Sequence, residues 1–405
     1  MGATRRSWLV VAIAFCSTAV TASTFVSGAQ QSRRIPHVEA VSGILEILDS
    51  VPLVAVGDLH GSAEEGAFYQ RLVRHPEFPG RVNDVILELG NELYQRVADR
   101  YVSGEAVPLD SVRMIWENTT QGPLITSTAP MYTSLFTALR EVNAKLPSSR
   151  RIRILLGDPA VEWRTVTREE LWSIHARRGD RMREIARDSV VAKGRRAVII
   201  AGFRHLVRDP QPGSGADAKW GDLATKVFVI RPHDGFGGSS FRHEAAIDSL
   251  APGSLIRLRD TFIGELEVDD VDRATPAPGD TAVSGKPSAI PPGMRAVNAG
   301  RKLRDIADGY LYVAPFRSMT FSRPDIARIR EDPARLDDLH RRSCIMMGRP
   351  VDTTALFRVA DSNLRHRAGV RRSEVHLQSL AAPPSAPPPL PSVLPEPCGR
   401  LLQSR

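Results

Sequence analysis

Lysine is scarce in this chain. Of its 54 cationic side chains only six are Lys, so the net charge of +8 rests on Arg scattered along the sequence. The longest basic runs are pairs such as Arg5-Arg6 and Arg371-Arg372. No basic stripe is interleaved with aromatics, which argues against nucleic acid as a partner. Cysteine is scarce too. Three in 405 residues exclude a disulfide-dense scaffold. Beyond the N-terminus no segment is long and apolar enough to span a membrane. A nucleophile elbow around Ser, a P-loop and a dinucleotide fingerprint are all missing.

The N-terminus supplies the clearest positive signal. Two Arg precede an apolar stretch, and small residues follow at Ser27-Gly28-Ala29. That order is the order of a secretory signal peptide, here residues 1–29, cut after Ala29. The expected location is the periplasm or the extracellular space. Two Cys then remain, Cys344 and Cys398. Spacing alone does not establish a bridge, and the Pro-rich surroundings of Cys398 speak against one that supports the core.

Apolar runs alternate with helix-period segments over residues 36–345. Strands are expected from about Leu53 to Val56, from Asn83 to Glu88, in Arg151–Pro159, and in Arg196–His205. Others are expected in Thr225–His233, Gly253–Thr261 and Asp308–Pro315. The alternation predicts an α/β domain with a mainly parallel sheet flanked by helices. Residues 264–293 turn acidic and then rich in Pro, Gly and Ser, so they read as an exposed loop or insertion. Residues 346–405 form a C-terminal extension. From about 380 it is Pro-rich, and a disordered or extended tail is expected.

Polar groups recur where the strands stop. The first strand delivers Asp58 and His60, the second Glu88, the third Asp158, the fourth Arg204 and His205. In a parallel sheet these ends share one edge, where ligands of open α/β sheets bind. Each residue alone is weak evidence. Asp58 and Asp158 follow Gly as turn or cap residues do, and Asn91 stands where a helix cap would. The repetition is what points to a site: Asp58, His60, Glu88 and His205 as catalytic groups, with Arg204, Asn91 and Asp158 facing a small-molecule substrate. Two chemistries fit. The four could hold a divalent metal that acidifies water. Equally, a His held by a carboxylate could act as general base without metal.

Gly57-Asp58-Leu59-His60-Gly61 alone is how two-metal phosphoesterases begin. Their next segments require Gly-Asp-x-x-Asp-Arg and Gly-Asn-His. Here the second strand continues Gly90-Asn91-Glu92, and Gly157-Asp158 comes later without the Asp-Arg. The metallophosphoesterase is therefore the third reading.

The ordered set Gly57-Asp58-Leu59-His60, Ile86-Leu87-Glu88 and Ala201-Gly202-Phe203-Arg204-His205 resembles the Tiki/ChaN-like superfamily. That group includes ChaN haem-uptake proteins and, more distantly, erythromycin esterases and Tiki/TraB proteases. The resemblance spans residues 50 to 210, and an uncharacterised bacterial branch would carry it to about 345. Asp58 replaces the usual Glu. Esterase-like kinship implies a hydrolase that activates water. ChaN-like kinship implies, as the alternative, a haem- or metal-binding uptake protein, for which Tyr69, Tyr94, Tyr101 and Tyr132 are the haem-ligand candidates. Packing is the ordinary role of a Tyr at helical spacing.

Overall fold

Runs such as Leu53–Gly57 and Ala197–Ala201 contain no polar side chain, so they need apolar cover on both faces. The computed structural model supplies it. It describes residues 34–121, 130–211, 220–236, 238–268, 300–320, 326–354, 387–390, 394–396 and 398–403. The expected signal peptide, residues 1–29, and most of the Pro-rich tail lie outside those residues.

The strands are β1 (Val38–Glu39), β2 (Leu53–Gly57), β3 (Asp84–Asn91), β4 (Arg153–Asp158), β5 (Ala197–Ala201), β6 (Val227–Pro232), β7 (Ser254–Arg257) and β8 (Gly309–Tyr312). They form one sheet in the order β1-β7-β8-β6-β2-β5-β3-β4. The pairs from β8 through β4 are parallel, while β7 pairs antiparallel with both β1 and β8. The α/β class and the mainly parallel sheet stand as expected. The seven apolar runs are strands. The two-residue β1 was not expected, because both its side chains are exposed and it carries no apolar pattern.

Apolar side chains of successive strand residues point to opposite faces. Val54, Val56, Val85 and Leu87 enter one core, and Leu53, Ala55, Ile86 and Ile199 enter the other. The first core is closed by α1 (Ala40–Ile47), α2 (Ala63–Arg74), α3 (Gln95–Val102), α4 (Leu109–Glu117) and α5 (Pro130–Asn143). Between β4 and β5 run α6 (Arg168–Ala176) and α7 (Arg178–Ile185). The break between them falls at Arg177, two residues before Gly179. Further on stand the short α8 (Glu244–Asp248) and α9 (Pro333–Met347).

Two boundary expectations change. Gly264 and Val268, the start of the expected exposed loop, are buried, and Glu267 forms a bridge with Lys302. Residues 269–299 lie outside the described residues. Cys398 is buried and disulfide-bonded to Cys344 of α9, with Cα atoms 5.2 Å apart. The short helix Cys398–Gln403 is thereby fastened to α9 across 54 residues of sequence, in spite of its Pro-rich surroundings.

Candidate active site

Since β2, β3, β4 and β5 run parallel, their carboxyl ends lie on one edge. Asp58, Glu88, Asp158 and His205 meet there, and all four are buried. Strand β3 does not end at Glu88 but continues to Asn91. Its register against β4 shifts between Leu87 and Asn91. Such an irregularity re-aims side chains beside functional sites, and here it falls on the Glu88 segment.

Glu88 is the hub. One oxygen, Oε1, accepts from Gln121 Nε2 at 2.5 Å and from the Arg178 guanidinium, and lies 3.1 Å from His205 Nε2. The other, Oε2, accepts the Gly202 N–H at 2.5 Å and stands 3.8 Å from His60 Nε2. Burial alone would raise this carboxyl. His205, Arg178 and His60 outweigh burial and hold it well below the ordinary carboxylate range. Glu88 is thus ionised throughout the physiological range.

Asp58 and His60 form a dyad. The imidazole Nδ1 lies 2.9 Å from Asp58 Oδ2, which also accepts from Tyr132 Oη at 2.9 Å. A proton on Nδ1 leaves Nε2 with its lone pair. Burial disfavours a charged imidazole, but the charges of Asp58 and Glu88 prevail and raise His60 above the usual 6.5. Its side chain is 21% exposed, against 1% for Asp58 and 4% for Glu88. Solvent therefore reaches the cluster at the imidazole. Gly202 keeps the space open. A Cβ there would stand 3.1 Å from His60 Nε2 and 3.3 Å from Glu88 Oε2.

Asp158 is held by Thr120, whose N–H and hydroxyl both donate at 2.6 Å, and by Arg178 Nε at 3.1 Å. Burial pushes it up to about 6 in spite of those donors. Arg178 ties Asp158 to Glu88 and is itself buried. Next to it, burial and the Arg178 charge push His175 down to about 4, so this imidazole is neutral at pH 7. Arg204 is exposed and near enough for its charge to act on His175.

Four members of the cluster carry no sign in the sequence of their place in it. Arg178 sits in a basic helix with no pattern to distinguish it. Gln121 follows a helix end. Tyr132 reads in the sequence only as a candidate haem ligand. Glu65 looks like the second half of a Ser62-x-x-Glu65 capping box, since Ser62 Oγ does accept the Glu65 N–H. Its carboxyl, however, turns to the site. Oε2 accepts the Leu59 N–H at 2.7 Å. Burial first and the Asp58 charge second raise Glu65 well above the usual range, so it keeps its proton. Glu65 Oε1 and Asp58 Oδ1 are both buried without another partner. A proton shared between them satisfies both.

Asn91 takes no part in this arrangement. Both its amide hydrogens are donated to Asn118 O and Val161 O at 2.8 Å, and its oxygen accepts from Leu93 N and Val161 N. It caps and crosslinks rather than facing a substrate. The haem candidates are likewise engaged. Tyr69 donates to Gly57 O and Tyr132 to Asp58, Tyr94 accepts from Asn118, and Tyr101 lies 3.4 Å from Thr137 Oγ1. That does not fit axial ligation. Nor does a cation fit at Glu88, whose oxygens are taken by donors and by the guanidinium of Arg178. Among the described residues, ligand atoms with metal spacing gather elsewhere, at His233, Glu244 and Asp248.

No protein-family model matches the chain, and no curated protein matches it. Three solved structures resemble it loosely. A type III effector, HopBA1, is 10% identical over 51% of this chain and 90% of its own, with a TM-score of 0.31. A Bacillus cereus protein is 9% identical over 57% and 85%, at 0.39. A succinoglycan biosynthesis protein is 8% identical over 73% and 97%, at 0.47. At these scores the likeness transfers no property, and this chain is an α/β protein whose function has to be argued from its own site.

Proposed function

We propose that this chain is an exported, ChaN-like hydrolase whose reaction is attack of an activated water on an ester-type carbonyl. The observation that carries the reading is the Asp58–His60 dyad. Its imidazole is the partly exposed member of the cluster, and Nε2 stands 3.8 Å from a buried, ionised Glu88.

Asp58 holds Nδ1 and so fixes the tautomer that leaves Nε2 basic. Tyr132 and the protonated Glu65 hold Asp58 in turn. Nε2 removes a proton from water as the oxygen attacks, and the resulting imidazolium is stabilised by Asp58 and Glu88. His205, 3.1 Å from Glu88, gives its own proton to the leaving group, and exchange with solvent then clears the proton from His60 and restores the one on His205. Arg204 at the rim meets the developing negative charge or an anionic part of the substrate. General acid–base assistance of this kind contributes about 10²–10⁴-fold to rate. The strand-end motifs shared with erythromycin-esterase-like proteins support the same reaction class. Export rests on the N-terminal segment.

The test is a panel of chromogenic esters and lactones, with phosphoesters as the contrasting class. Ester turnover that drops about 10²–10⁴-fold in His60→Ala, in a chain that still melts cooperatively, supports the reading. Equal turnover by the variant, or turnover of phosphoesters alone, overturns it.

A further inference from the structure

A second cluster lies at the end of β6, in the other half of the sheet. His233 follows Pro232 directly and is completely buried. Its ring meets Phe236, Tyr310 and Tyr312, with centroids 5.3–5.8 Å away. Nδ1 stands 2.9 Å from Tyr310 Oη. Nε2 has no hydrogen-bond partner. It points toward Glu244 Oε1 at 3.3 Å, outside hydrogen-bonding geometry.

Glu244 and Asp248 are four residues apart on α8, so both carboxylates lie on one helix face. One ligand atom from each of the three residues lies within 4.8 Å of the others. Each carboxylate is already oriented. Glu244 Oε2 accepts the Phe236 N–H at 2.7 Å, and Asp248 Oδ1 accepts from Tyr312 Oη at 3.2 Å. With Nδ1 protonated toward Tyr310, the Nε2 lone pair faces carboxylate oxygens in a ring of aromatics. The buried Nε2 lone pair and the Glu244 oxygen beside it repel one another, and a cation between them relieves that repulsion.

We infer that His233, Glu244 and Asp248 bind a divalent transition metal of the zinc class. Zinc takes imidazole nitrogen and carboxylate oxygen at about 2.0–2.2 Å, which at tetrahedral angles sets neighbouring ligand atoms about 3.3–3.5 Å apart. The Nε2 to Oε1 separation of 3.3 Å meets that spacing. Tyr310 on Nδ1 is the outer hydrogen bond that ligating histidines require. Glu244 is half-buried and Asp248 is exposed, which gives the ion a route from solvent and an open coordination position. The imidazole selects against magnesium and calcium, which take oxygen ligands. Bound there, the ion staples α8 to the end of β6. The site shares no ligand with the Asp58–His60 cluster, so the two readings stand or fall separately.

The experiment uses the full chain, stripped by a chelator and exchanged into equimolar zinc. Bound metal is measured by mass spectrometry, and cobalt(II) is added in parallel for its ligand-field bands. One zinc per chain is expected, kept in His60→Ala and in Glu88→Gln. The Glu244→Gln/Asp248→Asn double variant changes exposed and half-buried side chains only, so the fold survives. In it zinc affinity drops at least about tenfold and the cobalt bands change shape. Tyr310→Phe, which leaves every ligand in place, weakens binding about tenfold. Absence of zinc from the wild-type chain overturns the inference. So does zinc that the double variant retains and His60→Ala loses. An imidazolium–carboxylate pair without metal is the first of those outcomes.

Discussion

Strand β3 carries two buried carboxylates, Asp84 at its start and Glu88 toward its carboxyl end, and the two are handled differently. At the amino edge, Asp84 is fully enclosed and neutralised by Arg153 at 2.6 Å and by Arg195 at 2.7 and 2.8 Å. Those Arg side chains are 44% and 30% exposed. They reach in from solvent and would swing back to it if the Asp were lost. At the carboxyl edge, Glu88 is met by groups as buried as itself: Arg178, His205 and Gln121. None can retreat into water. The ionisation of Glu88 therefore depends on these fixed neighbours. Asp84 is a clamp between strands, whereas Glu88 belongs to a set of coupled ionisable groups. That coupling is what shifted values at functional sites usually reflect.

The sharpest way to break this contrast is to remove one cation from each end. Arg178→Met strands Glu88 and Asp158 without their counter-charge and is expected to cost about 3–5 kcal/mol in urea unfolding. Arg153→Met leaves Arg195 on Asp84 and removes a half-exposed pair, so about 0–1 kcal/mol is expected. Equal losses would put both ends in one class. Asp84→Asn should cost an intermediate amount, about 1–2 kcal/mol, and leave ester turnover intact.

The remaining predictions concern pH. His60 must be neutral to act as base, and its value is raised above 6.5 by Asp58 and Glu88. The acid limb of kcat/KM should therefore fall above pH 6.5. Asp58→Asn should move it downward, because the neutral amide no longer favours the imidazolium. Folding carries the matching sign. The contribution of charged His60 is full below about 6.5, its unfolded value, and is lost as pH rises through the higher folded one. An unchanged limb in Asp58→Asn would mean that another group controls it. The smallest effect belongs to His175, which titrates at about 4 in the fold and near 6.5 unfolded. Its folded pKa is depressed, so stability is lost as pH falls from about 6.5 toward 4. His175→Gln should flatten that part of the stability profile, measured by melting temperature against pH.

Much of the fold was legible because a parallel sheet buried on both faces writes its strands as unbroken apolar runs. The class, seven strands and the common edge of Asp58, Glu88, Asp158 and His205 all follow from that. Strand order does not, since apolar runs do not name their neighbours. Arg178 and Gln121 could not be seen, because what sets them apart is the carboxylate they meet far along the chain. Glu65 was masked by its local role, as its spacing from Ser62 explains it without reference to a site. Asn91 failed in the opposite direction. Its cap position was visible, and the cap turned out to occupy the whole side chain. His233, Glu244 and Asp248 give only an i,i+4 pair and a His eleven residues upstream, a spacing common on any exposed helix.

Gly202 has a consequence for telling working copies of this protein from silent ones. A methyl group at position 202 would press on both His60 and Glu88, at 3.1 and 3.3 Å, and one of them would have to shift. A descendant chain could keep every ionisable residue of the cluster, fold normally, and still be inactive through alanine at this position. A count of retained acids and histidines would classify such a chain as an enzyme. The residue to read first in any relative is therefore the glycine, which has no chemistry of its own.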